Sequence, residues 1–214
     1  MKKIYIGMAW PSDGLNDSEY WKILPKNYEL LISRYKVSGS LNPKVLKKEA
    51  NLKKISEAIK ALNLKKLNLI ILCDFASSVL NDNYLSKSEN YFQSKFKIPC
   101  INIVTSTIKF ISTRKKNLSI ISPYNSKITE SFIKLLPKKN LIKSISYLSL
   151  KSEDEIDNTD KLTPSKFKDI NNDILFIGGG VSINNFSNNY QKKFRYKIYS
   201  SPLVLIKDAL KRLN

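Results

Sequence analysis

Histidine is absent from this 214-residue chain, and cysteine occurs twice, at Cys73 and Cys100. With no histidine and no zinc-type ligand spacing, no metal centre is expected. Two cysteines do not make a disulfide framework, which points to a reducing compartment. Arginine stands only at Arg34, Arg114, Arg195 and Arg212, so the residue suited to bidentate phosphate and base contacts is scarce. The net charge of +19 comes from lysines scattered through every segment. That scatter reads as compositional bias rather than a basic groove, and nucleic acid is not favoured as a partner. No apolar run approaches the roughly 20 residues of a membrane helix. The opening MKKIYIGMAW has the look of a leader, but it is short and runs into Trp-Pro-Ser-Asp without a small-residue cleavage site. It reads as a first strand. A soluble, cytoplasmic protein with no membrane partner is expected.

The 42% hydrophobic content is ample for one large domain or two small lobes. Short apolar runs alternate with helical patterns. Strands are expected at Ile4–Ala9, Tyr35–Ser38, Leu69–Cys73, Ile101–Val104, Leu118–Ser122, Ser144–Leu148, Ile174–Ile177 and Lys197–Tyr199. Helices are expected over Pro43–Leu62, where apolar residues recur near a 3.6 period, and over Tyr84–Phe96, Ser126–Leu136 and Leu203–Leu213. This alternation implies parallel strands with crossover helices, an α/β protein.

The chain also repeats itself. KKIYIGMAWPSDG near the start matches KKNLSIISPYNSK at 115–127, each a basic lead, a strand and a Pro-containing loop. LNLIILCDFASS at 67–78 matches NDILFIGGGVS at 172–182, and YFQSKFKIP at 91–99 matches YQKKFRYKI at 190–198. Three matches in one order imply two pseudo-symmetric lobes, each a short parallel sheet flanked by helices, with a cleft between them. The expected division is 1–111, 112–196, and a closing strand and helix at 197–214 that return to the first lobe.

Ligands of parallel sheets bind beyond the carboxyl ends of the strands. The loops there are Trp10–Leu15, Asp74–Ser78, Thr105–Thr107, Pro123–Ser126, Gly178–Ser182 and Ser200–Pro202, rich in hydroxyls and glycine. Such groups suit carboxylate oxygens. Pro11 and Ser12, Ser77 and Ser78, Thr105, Tyr124, and Gly178, Gly179, Gly180 and Val181 are the candidate substrate contacts. Each has an ordinary alternative. Ser77 and Ser78 serve equally as caps of a helix beginning near Val79, and Thr105 and Ser106 as caps of another. Tyr124 fits a turn after Pro123, and the triple glycine fits a tight turn; it does not satisfy a G-x-G-x-x-G nucleotide motif. Asp74 is a general base or a loop aspartate bonded to its own backbone. Cys73 is a buried small hydrophobe or a nucleophile. Cys100, at the start of the next strand, reads as structural. The acidic KSEDEIDNTD at 151–160 reads as a solvated connection.

The order of these loops resembles the aspartate/glutamate racemase superfamily, in particular its maleate isomerase and arylmalonate decarboxylase branch. Cys73-Asp74-Phe75-Ala76-Ser77 is similar to that branch's first cysteine loop, Ser122-Pro123-Tyr124 to its Thr-Pro-Tyr loop, and Leu162-Thr163-Pro164 to its Leu-Thr-Pro. IYSSPLVLIKDALKRL, Ile198 to Leu213, is similar to its closing strand and helix. The resemblance covers nearly the whole chain. It implies cofactor-independent isomerase or lyase chemistry on a small carboxylate or dicarboxylate, of the racemase, cis–trans isomerase or decarboxylase type, with Cys73 and Asp74 as the catalytic candidates. Two departures stand out. The second cysteine slot falls in Gly178-Gly179-Gly180 and holds no thiol, so two-thiol racemisation lacks a partner. Asp74 stands where threonine is usual, and a one-residue shift would put Asp74 itself in the cysteine slot; that shift loses the Ala76-Ser77 match, so Cys73 is taken as the single retained thiol, a nucleophile or proton carrier. A noncatalytic carboxylate-binding homologue of the same fold is the alternative, and a homo-oligomer stays open.

Overall fold

The computed structural model describes residues 2–14, 16–152, 155–156, 170–183 and 196–214. In the first lobe, β1 (Ile4–Pro11) leads into α1 (Asp17–Ile23) and β2 (Tyr28–Tyr35). Then α2 (Pro43–Glu49) and α3 (Leu52–Lys60) precede β3 (Leu67–Leu72), and α4 (Ala76–Leu80) and α5 (Asp82–Phe96) precede β4 (Cys100–Asn102). From there α6 (Ile103–Ser112) carries the chain to β5 (Leu118–Ser122), α7 (Ser126–Lys134), β6 (Ile142–Tyr147), β7 (Asp173–Phe176), β8 (Ile198–Ser200) and the closing helix α8 (Ser201–Leu213).

Two four-stranded parallel sheets result, ordered β2-β1-β3-β4 and β6-β5-β7-β8. Each places its second strand outermost, then its first, third and fourth. That common order is the duplication expected from the sequence, with β1 equivalent to β5 and β3 to β7. Leu162-Thr163-Pro164, residues 190–195 of the third repeat match, and most of the 151–160 segment lie outside the described residues.

Several boundaries differ from expectation. The second strand is Tyr28–Tyr35 rather than Tyr35–Ser38. It is an edge strand broken by Glu29, Ser33 and Arg34, so its apolar run is weak, and β1 pairing decides it. The Pro43–Leu62 pattern is two helices, because Asn51 accepts from Lys53 and Lys54 N–H at 2.9 and 3.2 Å and starts the second one. The Ile101–Val104 strand ends at Asn102, whose side chain accepts from Val104 N–H at 2.8 Å and caps α6. Thr105 is therefore helical. The helix after Cys73 begins at Ala76, not near Val79.

The closing strand does not return to the first lobe. β8 pairs with β7 through Ile174↔Ile198, Leu175↔Tyr199 and Phe176↔Ser200, completing the second sheet's ladder. α8 alone crosses, packing on α6, α1 and β3. Tyr28 donates to the Asn214 side chain at 3.1 Å, and Lys109 pairs with Asp208 at 2.6 Å.

Alternation along β3 divides the core. Ile70 and Leu72 pack under α3 and α5 with Ile55, Ile59 and Phe92, whereas Leu69, Ile71 and Cys73 join a larger cluster that continues through Ile120, Phe132, Phe176 and Leu205. The lobes thus share one core. Phe75 carries it across, stacked 6.1 Å from Tyr124 and tilted 5.1 Å from Phe132. Among the described residues no helix is long and apolar enough to cross a membrane. Because Phe132 is fully buried at this junction, Phe132→Ala is expected to cost about 3–5 kcal/mol and to unfold both lobes in one transition, read by urea denaturation with circular dichroism and Trp fluorescence.

Candidate active site

The carboxyl ends of β1 and β3 face the loops after β5 and β7 across a pocket between the lobes. Its cavity volume is about 40 Å3, and it opens to solvent at its mouth. The first lobe supplies Trp10 and Pro11 from the end of β1, Asp13 and Gly14 from the loop after it, Val37–Ser40, Leu46 and Glu49 from the α2 region, and Cys73–Ser77 from the loop after β3 and the start of α4. The second lobe supplies Tyr124, Gly179 and Gly180.

Seven of the twelve expected site residues therefore meet here: Pro11, Cys73, Asp74, Ser77, Tyr124, Gly179 and Gly180. The other five do not line it. Ser12 turns its hydroxyl to Val37 N–H at 3.1 Å. Ser78 is fully buried and donates to the Asp74 carbonyl at 2.5 Å, a helix-internal bond. Thr105 bonds Glu89 and the Asn102 carbonyl on another face of the molecule, where α6 buries its first turn against α5. Gly178 bends the chain with φ +130°, a conformation other residues rarely adopt, and Val181 is buried in the core. Sequence reasoning missed Asp13, Glu49 and the Ser38–Ser40 loop. Asp13 lay inside an expected loop, but nothing in the α2 pattern marked Glu49 as pocket-facing.

A latch from α1 holds the glycine loop in place. Tyr20 donates its hydroxyl to the Gly179 carbonyl at 2.9 Å, and the Asn16 amide donates to the Gly180 carbonyl at 2.8 Å. Glu19, 1% exposed, accepts from the Ser182 hydroxyl and from Ile183 N–H at 2.9 Å. The loop lies so close to the first lobe that a Cβ on Gly179 would sit 2.3 Å from the Cys73 carbonyl oxygen. Only glycine fits that contact.

Ladder bonds fix how the two strand ends correspond. Cys73 N–H donates to the Ala9 carbonyl at 3.2 Å, and Ile177 N–H to the equivalent Ile121 carbonyl at 3.0 Å. Cys73 is thus the counterpart of Ile177, the last residue in the ladder, and Asp74 the counterpart of Gly178, the first to leave it. In internal register, Asp74 and not Cys73 matches the glycine loop.

The two side chains differ in environment. Cys73 is 2% exposed, and burial pushes its thiol far above the ordinary range; Tyr20 beside it opposes the shift, and the Asp74 charge adds to it. The thiol is neutral. Asp74 is 6% exposed and its carboxyl is pushed up to about 6 by burial, partly offset by bonds from Ser77 and Tyr35. Its Oδ1 accepts from Ser77 N–H at 3.0 Å and its Oδ2 from the Tyr35 hydroxyl at 3.0 Å. Burial also keeps the Tyr35 phenol protonated, so it serves as a donor. A carboxyl near 6 holds a useful fraction of both protonation states at neutral pH. Asp13 is raised as well, chiefly by burial.

Because the folded-state value of Asp74 lies above the ordinary aspartate value of 3.8, the native state keeps a proton that the unfolded chain releases between about pH 4 and pH 6. The associated stability is complete below about pH 4 and lost as pH rises through about 6, an upper bound of about 3 kcal/mol. Asp74→Asn is expected to flatten the fall in thermal stability over that window, leaving the smaller slope due to Asp13; melting curves from pH 4 to 8 measure it.

No family model matches the sequence, and no curated protein matches it. Solved structures do. Maleate isomerase Iso from Pseudomonas putida S16 superposes with a TM-score of 0.80 at 13% identity, covering 99% of this chain and 93% of that one. Maleate cis-trans isomerase from Nocardia farcinica gives 0.77 at 9% identity, over 98% and 92%. Unliganded arylmalonate decarboxylase gives 0.72 at 14% identity, over 99% and 93%. The chain has the two-lobed α/β fold of these maleate isomerases and of arylmalonate decarboxylase.

Proposed function

We propose that this chain is a cofactor-independent isomerase or lyase that moves a proton at the carbon beside a carboxylate of a small substrate, with Asp74 as the proton carrier. The observation that carries this reading is the Asp74 carboxyl, held near 6 at the wall of a pocket closed by both lobes. The solved relatives of the fold are named as isomerases and a decarboxylase, which fits the same general chemistry.

In the isomerase direction the Asp74 carboxylate takes the proton from carbon, the electron pair moves into the substrate carboxylate as an enediolate, and the Asp74 acid returns the proton from the same face to the conjugated γ carbon of an unsaturated substrate, shifting its double bond. In the lyase direction, departure of carbon dioxide leaves that enediolate, and the Asp74 carboxylic acid protonates it. Both need donors to the developing oxyanion. Gly179 and Gly180 stand at the same wall. With the Gly179 and Gly180 carbonyls drawn toward α1, the planar peptides turn the following N–H groups away from it. Glycine opposite Asp74 carries no side-chain acid, so proton delivery comes from one face only.

A second reading keeps Cys73 as nucleophile. One structure of the Nocardia farcinica enzyme, a mutant, holds a covalently bound succinylcysteine intermediate, and Cys73 lines the pocket here. Its burial as a neutral thiol weighs against it, since the thiolate is the attacking form.

Exchange of substrate C–H for deuterium in D2O, followed by proton NMR over racemisation, isomerisation and decarboxylation substrates, tests both. Asp74→Asn is expected to lower turnover at least about 100-fold, and Cys73→Ser to retain it within about tenfold. The reverse pattern would transfer the role to the thiol, and no exchange by the native chain would leave only a binding protein. In the isomerase direction kcat/KM should climb with pH and level off above about 6, as Asp74 loses its proton.

A further inference from the structure

Asp74 is held by a side chain that does not itself line the pocket. Tyr35, the last residue of β2, is 3% exposed and stands outside the cavity lining, yet its hydroxyl donates to Asp74 Oδ2 at 3.0 Å. Ser77 N–H, in the first turn of α4, donates to Oδ1 at 3.0 Å, so each carboxyl oxygen has its own donor. The torsion of a carboxyl about its last bond is otherwise broad. Tyr35 is anchored in turn. It pairs with Pro11 in the β1–β2 ladder, and Ser12 N–H donates to its carbonyl at 2.9 Å.

The second lobe lacks both members of this pair. The ladder bonds that make Asp74 the counterpart of Gly178 also make Trp10 the counterpart of Ser122. Trp10 pairs with Arg34 in β2 and Ser122 with Tyr147 in β6, so Tyr35 corresponds to Leu148. Where the carboxyl is absent, the phenol is absent too. A second buried phenol supplies the contrast. Tyr84 of α5 is 3% exposed and shares a core cluster with Tyr35, but its hydroxyl has no hydrogen-bond partner among the described residues. Burial keeps Tyr84 and the adjacent Cys73 neutral. Asp13 in the loop after β1, Glu49 at the end of α2, bound to Lys54, and Tyr124 across the pocket are the other titratable groups at this wall. Against burial and the Asp13 charge, Ser77 and Tyr35 favour the Asp74 carboxylate.

We propose that Tyr35 is the positioning residue of the proton carrier: its hydroxyl fixes the Asp74 carboxyl in one orientation at the pocket wall and favours the ionised, proton-accepting form. This inference rests on reading Asp74 as that carrier. The two donors are not equivalent. A backbone N–H can only donate, whereas a phenol hydroxyl both donates and accepts. Tyr35 therefore stays bonded to Oδ2 whether or not that oxygen carries the proton, and the carboxyl keeps its place through the transfer.

Carbon-13 NMR titration of the full chain labelled at aspartate Cγ, with the Asp74 signal assigned through Asp74→Asn, tests it. Tyr35→Phe is expected to raise the Asp74 midpoint by at least about one pH unit, as loss of a hydrogen bond to a charged group should, and Tyr84→Phe to leave it within about 0.3 unit. On the substrate that the native chain exchanges in D2O, Tyr35→Phe should lower kcat at pH 7 at least about tenfold and move KM less than about threefold, with part of the loss recovered at higher pH. Should Tyr35→Phe fail to fold, 3-fluorotyrosine incorporated at position 35, a more acidic phenol of nearly the same shape, should move the midpoint down. A midpoint that Tyr35→Phe leaves in place or lowers, an equal shift in Tyr84→Phe, or a fluorotyrosine midpoint that stays or rises overturns the proposal. A raised midpoint with no exchange by the native chain upholds the hold of Tyr35 on Asp74 while defeating the isomerase or lyase reading. Exchange that needs Asp74 but keeps its midpoint and rate in Tyr35→Phe upholds that reading and overturns this one.

Discussion

The molecule is organised by one close approach: the backbone of Gly179, at the end of the second sheet, pressed against the carbonyl of Cys73 at the end of the first. A side chain at position 179 would push the lobes apart, and the contact would then lose the support of Tyr20, Asn16 and Glu19 from α1. Phe75, one residue beyond Asp74, locks the same junction by packing on Tyr124 and Phe132. Two sheets that each end in open loops become two walls of one cavity.

That junction also sets the chemistry. Cys73 belongs to the ladder and shares a face with Leu69 and Ile71, so it is desolvated and its thiol stays protonated. Asp74 is the first residue to leave the sheet. It stays near enough to the pocket to be reached, and buried enough for its carboxyl to rise. A one-residue step along the chain separates an inert thiol from a titratable acid. Gly179 of the second lobe is glycine because closeness requires it, so the first lobe contributes the carboxylates of the pocket wall and the second contributes Tyr124 and glycine backbone.

Much of this was legible in the residues. The match of KKIYIGMAWPSDG to KKNLSIISPYNSK pointed to a strand and a Pro-containing loop in each lobe, and β1 and β5 hold equivalent places in the two sheets. The parallel topology pointed to six loops at the strand ends, of which those after β1, β3, β5 and β7 line the pocket while Thr105–Thr107 and Ser200–Pro202 do not. Thr105 was misplaced because Ile103 and Val104 look like strand residues, whereas the Asn102 cap turns the chain into a helix after three strand residues. Glu49 was missed because a helix position shows its facing only once the helix is docked. β2 was misread because an edge strand needs only half an apolar pattern.

The sequence by itself determined the α/β class, the duplication and the loops that gather at the cleft, because hydrophobic period and internal similarity are local properties of the chain. Tertiary structure alone decided that Cys73 is a buried thiol, that Asp74 is a carboxyl raised by burial at the pocket wall, and that three carboxylates share one cavity. Burial, charge proximity and the distance between lobes arise from residues far apart in sequence, and no window along the chain contains them.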